Sequence, residues 1–331
     1  MLKNNPGNKI GALVISLDFE LMWGIIDIPN AKQYGETNVK NVGCVITSML
    51  ALFEKYDVKA TFATVGMLMC KDKNELLKYV PTIKPQYVNK KLSPYEGYID
   101  GLKEEDFNLH FAPRTVELLK GSSAIEIGSH TFCHYYCWED GQNISQFEED
   151  IKKAVEVAKA KDIALKSIVF PRNNVNNDYL EICYRNGITS YRGNALKFFD
   201  KSTNMFKRTY KRICRFLDAY LPISGINSYT FDINKNKPGI PVNIPASRFL
   251  RPYDRRLSFI EPLKIKRITN EMKYAAKYGR VYHLWWHPHN FGAYTSKNLA
   301  NLETILKCYQ HCHKQYGMQS YTMTDITEKY I

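Results

Sequence analysis

No stretch of the chain approaches the ~20 consecutive apolar residues that a membrane-spanning helix needs. The one apolar run near the start, Ile10–Leu17 after Lys3 and Lys9, is short, has no small-residue cleavage site and meets Asp18 and Glu20 at once. It is therefore read as a buried strand rather than a secretion signal. Zinc-finger and ribonucleoprotein signatures are missing, which removes the usual nucleic-acid modules. No internal repeat and no low-complexity linker is visible, so solenoids and beads-on-a-string arrangements are set aside. The eight cysteines have no framework spacing, and a chain of 331 residues needs no disulfide staples. Cys44, Cys70, Cys183 and Cys214 fall in apolar or amphipathic runs, where a thiol acts as a small hydrophobe. A reducing, cytoplasmic location is the expectation.

Acidic residues are in the minority: 33 Asp and Glu face 46 Lys and Arg, a net charge of +13. Such a balance favours anionic partners (nucleic acid, a membrane surface or phosphorylated ligands), or else is simply a basic solvated surface. The 44% hydrophobic and 24% charged fractions are those of an ordinary globular protein.

Strand-like and helical patterns alternate along the chain. Ala12–Leu17, Lys59–Val65, Ala124–Ser129, Ser167–Phe170, Thr189–Arg192, Val281–Trp286 and the stretch near Ser320–Met323 read as strands. Val39–Glu54, Phe147–Lys161, Tyr179–Arg185 and Lys297–Tyr316 read as helices. This alternation predicts one α/β domain over residues 1–331 with a parallel sheet or barrel. Two stretches, near 76–108 and 196–265, break the rhythm and are expected to be inserted excursions.

Four local groups carry chemistry. Asp18 and Glu20 end the first strand at i and i+2, so both carboxylates face one side while Phe19 packs on the other. Two buried acids there need a cation or metal, or else form a helix cap or a salt-bridged strand end. His130 and His134 follow the third strand in His130-Thr131-Phe132-Cys133-His134; if the chain turns helical, both imidazoles reach one ion, and otherwise they are loop histidines. Phe170-Pro171-Arg172-Asn173 closes the fourth strand with a guanidinium, a natural bidentate partner for a carboxylate. His283, His287 and His289 crowd the end of a late strand beside Trp285 and Trp286.

In this order the four groups resemble the polysaccharide deacetylase family, of the carbohydrate esterase family 4 type. The resemblance runs from about Ile10 to Met323, with the two excursions as poor matches. Ser16–Glu20 resembles the family's acidic motif, His130–His134 matches its H-[ST]-x-x-H motif in full, Lys59–Phe62 is similar to its second strand, and Leu284–His287 is similar to its late leucine-to-histidine motif. Here the two acids are separated by Phe19, where most members have adjacent aspartates, and no Asp/Trp motif is recognisable.

The resemblance implies a distorted (β/α) barrel and a hydrolase that removes an N- or O-acetyl group from a sugar. It implies a divalent metal, zinc first with cobalt or nickel as substitutes, held by Glu20, His130 and His134. It implies Asp18 as base, Arg172 orienting Asp18, and His287 as acid with His289 as runner-up. Trp23, Trp285 or Trp286 would stack on a sugar face or else serve the core. The substrate would be an acylated sugar, nucleotide- or lipid-linked, with no nucleic-acid partner. A cyclic-amide hydrolase and a metal-free carbohydrate-binding barrel are the competing readings.

Two further patterns stand outside this set. Cys308, His311, Cys312 and His313 have zinc-like chemistry on an amphipathic helix. Phe206, Tyr210, Ile213 and Leu217 form an apolar stripe opposite Lys207, Arg208, Lys211, Arg212 and Arg215, which would rest on an anionic membrane or pack on the core.

Overall fold

The computed structural model describes residues 10–194, 213–230 and 237–330. Its centre is β1 (Ala12–Phe19), buried along its whole length. A strand covered on both faces has no use for polar alternation, which explains why it reads as an almost continuous apolar run. β8 (Val281–Trp286) pairs with one edge of β1, from Ala12–Val281 to Leu17–Trp286. The other edge is shared end to end: β9 (Gln319–Tyr321) pairs with Ala12–Val14, and β2 (Ala60–Thr64) with Ser16–Phe19. The sheet continues outward from β2 through β3 (Ile125–Ser129), β4 (Ser167–Ile168) and β5 (Ser190–Tyr191), every ladder parallel.

The sheet curls because one short segment serves both of its edges. β6 (Val242–Asn243) pairs with β5, and β7 (Arg248–Phe249) pairs with β8. Between them, the amides of Ile244 and Ala246 donate to Tyr191 and Gly193, while that of Ser247 donates to His283. The result is a distorted parallel barrel, as expected. The second excursion, near 196–265, is thus not merely an insertion, since β6 and β7 lie inside it. In the first excursion, Tyr87 and Leu92 pack with Tyr136 in a small core of their own.

Alternation along β1 sorts its side chains. Leu13, Ile15, Leu17 and Phe19 join the large core with Ile46, Phe53, Ile305 and Leu306 of the helices Val42–Lys55 and Thr295–Tyr316. Ala12 and Val14 face a second cluster with Ala63, Val169, Ile244, Met323 and Ile326, the last two from the terminal helix Met323–Tyr330. Ser16 and Asp18 continue on the face of Ala12 and Val14. The barrel interior is therefore apolar at the amino ends of its strands and polar at the carboxyl ends, where α/β barrels hold their sites.

No helix among the described residues is long and apolar enough to cross a membrane. Most of the basic stripe, from Phe206 to Arg212, lies outside the described residues.

Candidate metal centre and catalytic pair

Glu20 follows β1 directly and is buried. The chain then reverses through Leu21, which adopts a left-handed φ of 49°. Gly24 lies over the Glu20 carboxylate so closely that a Cβ there would overlap it. The two histidines arrive from a loop rather than from a helical turn. Thr131 and His134 take left-handed φ values of 64° and 59°, and the buried Asp150 pins the loop by accepting from the amides of Phe132 at 2.7 Å and Cys133 at 3.0 Å. Thr131 Oγ1 accepts from the amide of Tyr135 at 2.7 Å. These bonds, and not helical periodicity, bring the i and i+4 imidazoles together.

His130 Nδ1 donates to the carbonyl of Val169 at 2.8 Å, which turns Nε2 toward Glu20 Oε2, 3.3 Å away. His134 Nε2 lies 3.0 Å from the same oxygen. The donor atoms of the three residues all lie within 4.8 Å of one another. His130 Nε2 is a buried polar atom with no hydrogen-bond partner. Burial works against a charge on Glu20, yet His287, His130 and His134 outweigh it and hold the carboxyl well below its usual range. A carboxylate held ionised between two imidazoles, one with its orphaned nitrogen aimed inward, fits a divalent cation. Among the described residues this is the group of three able to hold a metal; the Cys308–His313 cluster does not form one.

Asp18 sits beside this group, also buried. Burial raises its carboxyl, but the Arg192 guanidinium, helped by His287 and His130, overcomes that and lowers it. The Arg192 pairing is bidentate, Nη1 to Oδ1 at 2.7 Å and Nη2 to Oδ2 at 2.8 Å. Arg192 is itself held from three sides. Asn173 Oδ1 accepts from its Nε and Nη2, Ser16 Oγ accepts from its Nη1 at 3.0 Å, and the ring of Trp285 lies 4.2 Å beneath it. Behind Ser16, His283 donates from Nδ1 to the carbonyl of Ile244, so its Nε2 accepts the Ser16 hydroxyl at 2.8 Å.

The orienting role expected of Arg172 therefore belongs to Arg192. Arg172 is partly exposed and pairs with Asp27 at 2.6 Å and Glu139 at 3.1 Å instead. It sits on the turn after β4 with a left-handed φ of 56°, its guanidinium 4.1 Å from the Tyr136 ring. Arg192 had a signal of its own, an arginine at the end of a predicted strand, Thr189–Arg192.

His287 brings Nε2 to 3.6 Å from both Asp18 Oδ2 and Glu20 Oε1, with 22% of its side chain exposed. The Tyr34 hydroxyl donates to Asn290 Oδ1 at 2.8 Å, which leaves the Asn290 amide to donate to His287 Nδ1 at 3.3 Å. When the ring carries a single proton, that proton is thereby assigned to Nε2, the nitrogen facing the carboxylates. His289 stacks on His287 with centroids 5.1 Å apart and is buried, and that burial lowers it to about 4. Of the tryptophans, Trp23 and Trp286 are core residues, the latter stacked on Phe291. Trp285 lines an open cavity.

Fold and site define an α/β barrel with a buried Glu/His/His group able to hold a metal ion at the carboxyl ends of its strands. Residues 40–191, a little under half of the chain, match the family model described as polysaccharide deacetylase. Solved structures share its fold. A protein from Mycobacterium smegmatis assigned to the polysaccharide deacetylases superposes with a TM-score of 0.60 at 13% identity, over 99% of this chain and 92% of that one. One from Pseudomonas aeruginosa PAO1, assigned likewise, gives 0.53 at 13%, over 98% and 94%. The Puue allantoinase gives 0.54 at 12%, over 98% and 91%. At such identities the likeness is one of fold. A comparison with curated proteins finds no match.

Proposed function

We propose that this chain is a metal-dependent hydrolase that removes an acetyl or similar acyl group from a sugar. The observation that carries the reading is the convergence of Asp18 and His287 on the Glu20–His130–His134 group, with His287 Nε2 3.6 Å from a carboxylate oxygen of each acid. Glu20, His130 and His134 would hold the ion. When bound, a divalent cation there acidifies water and polarises the acyl carbonyl.

The chain's own residues do the rest. Asp18 Oδ2 takes the proton of the attacking water as the base, and Arg192 keeps that carboxylate ionised and in one orientation. Ser16, Asn173 and His283 position Arg192 and touch no reacting atom. In its imidazolium form His287 gives the Nε2 proton to the leaving nitrogen or oxygen and returns to the neutral ring; being the more open of the two stacked histidines, it is the acid in preference to His289.

Metal analysis of the purified protein, coupled to acetate release from N- and O-acetylated sugars, tests the reading. Stoichiometric zinc, cobalt or nickel with turnover is the expected result. A metal-loaded protein that opens ureide rings and releases no acetate would replace it with the cyclic-amide reading. A metal-free protein that only binds sugars would overturn both.

A further inference from the structure

A cavity of about 340 Å³ opens beside the catalytic pair, and its wall includes Arg172, Asn173, Arg248, Phe249, Arg251 and Trp285. Asn173 and Trp285 belong to both places: one accepts from Arg192, and the other lies under its guanidinium. A sugar whose acyl group lay at Asp18 would have this cavity beside it. Arg215 also lines it, so the wall holds four arginines and one carboxylate, that of Asp218, with Asp27 and Glu139 pairing Arg172 and Glu271 pairing Arg248 from outside the wall.

The four arginines are not equivalent. Arg248 is buried and tied to Glu271 and Asp218. Arg251 spreads its guanidinium over Phe216, 5.2 Å from the ring centroid, with no carboxylate at ion-pair distance among the described residues. Arg172 and Asn173 are consecutive left-handed residues, with φ values of 56° and 54°. Asparagine visits that region readily, but arginine does so only where the surroundings impose it, and such strain gathers at ligand sites. The turn holds Arg172 over the Tyr136 ring, 4.1 Å away, at the edge of the cavity.

The geometry points to an anion subsite: this cavity takes a phosphoryl group carried by the acyl-sugar substrate. The inference rests on the acyl-hydrolase reading for the identity of the sugar, but not for the anion. A single carboxylate is satisfied by one guanidinium fork, as Asp18 is by Arg192. Guanidinium groups reaching one space from the β4 turn, from the chain after β7 and from Arg215 suit an ion with several oxygens and more than one charge.

The test uses the full chain loaded with its divalent metal. Thermal unfolding at low salt with added pyrophosphate should show a raised Tm, the rise lost in Arg251→Met and kept in Arg251→Lys. Acetate release should favour N-acetylglucosamine 1-phosphate, its nucleotide diphosphate form or its lipid-phosphate form in neutral vesicles over free N-acetylglucosamine. The expected preference in kcat/KM is roughly tenfold to a hundredfold, the range of one hydrogen bond to a charged group. Arg251→Met should collapse that preference. The best of the three phosphorylated arms identifies the source of the phosphate. Equal kcat/KM for neutral and phosphorylated sugars, with no pyrophosphate effect on Tm, would overturn the subsite and leave the hydrolase standing. Arg251-dependent pyrophosphate binding without turnover of any acyl sugar would do the reverse.

Discussion

Asp18 and Glu20 differ by two positions on one strand face and in everything that surrounds them. Asp18 is gripped by a guanidinium, whereas Glu20 meets only imidazoles. Asp18→Asn should keep bound metal and lose turnover by ~10²–10⁴, the usual span of general base catalysis. Glu20→Gln should lose metal affinity first, with part of the activity restored by added metal. Metal analysis and kcat of the two variants side by side check this, and the reverse pattern would exchange their roles. A third residue extends the argument to stability. His283 is fully buried, and burial, with the nearby positive charge of Arg192, lowers it to about 3. Its folded value lies below the ordinary histidine value, so the unfolded chain binds the extra proton. The stability from neutral His283 is complete above about pH 6.5 and is lost as pH falls from there toward 3. One such group gives a slope of about 1.4 kcal/mol per pH unit, or about 2 kcal/mol between pH 6.5 and 5. Denaturant unfolding across that range should show the slope, and His283→Gln should reduce it by one proton.

At the scale of elements, the site depends on how strand ends are turned. The stretch Leu21–Gly24 doubles back under Glu20, and Gly24 has no room for a Cβ because the carboxylate occupies it. Gly24→Ala should displace Glu20 and weaken metal binding tenfold or more, in the range of ~10–100-fold seen when a ligand loses its support. Its circular dichroism should stay native, because the barrel strands are untouched; an unchanged metal affinity would show that Glu20 is not a ligand. Strand ends also explain what was legible in the sequence. β1 and β8 are long, apolar and central, so their runs announce them, and the H-T-F-C-H spacing announced the histidines. β6 and β7 are two residues each, held by partners far away in sequence, and no local period marks them. The same holds for the choice between Arg172 and Arg192. Both stand at the end of a predicted strand, and which one meets Asp18 depends on how far the sheet has curled by β5.

The whole molecule joins a stable barrel to a costly centre. Three ionisable residues able to hold a metal, a buried carboxylate–guanidinium pair and two further histidines share the carboxyl ends of the strands, and the apolar lower half of the barrel carries them. In such an arrangement an ion bound only by the folded state adds to its stability by mass action, about 4 kcal/mol at a free metal concentration a thousand times Kd. For a chain of this size each kcal/mol moves Tm by roughly 2–4 °C. Chelation of the metal-loaded protein should therefore lower Tm by roughly ten degrees, and returning zinc, cobalt or nickel should restore it. His130→Ala and His134→Ala should each start near the chelated value and gain little from added metal, since each lacks a ligand. This readout does not depend on knowing the substrate. A wild-type Tm unmoved by chelator and metal alike would mean that the Glu20–His130–His134 group is a buried ion pair, and the barrel would then be a sugar-binding relative without hydrolytic chemistry.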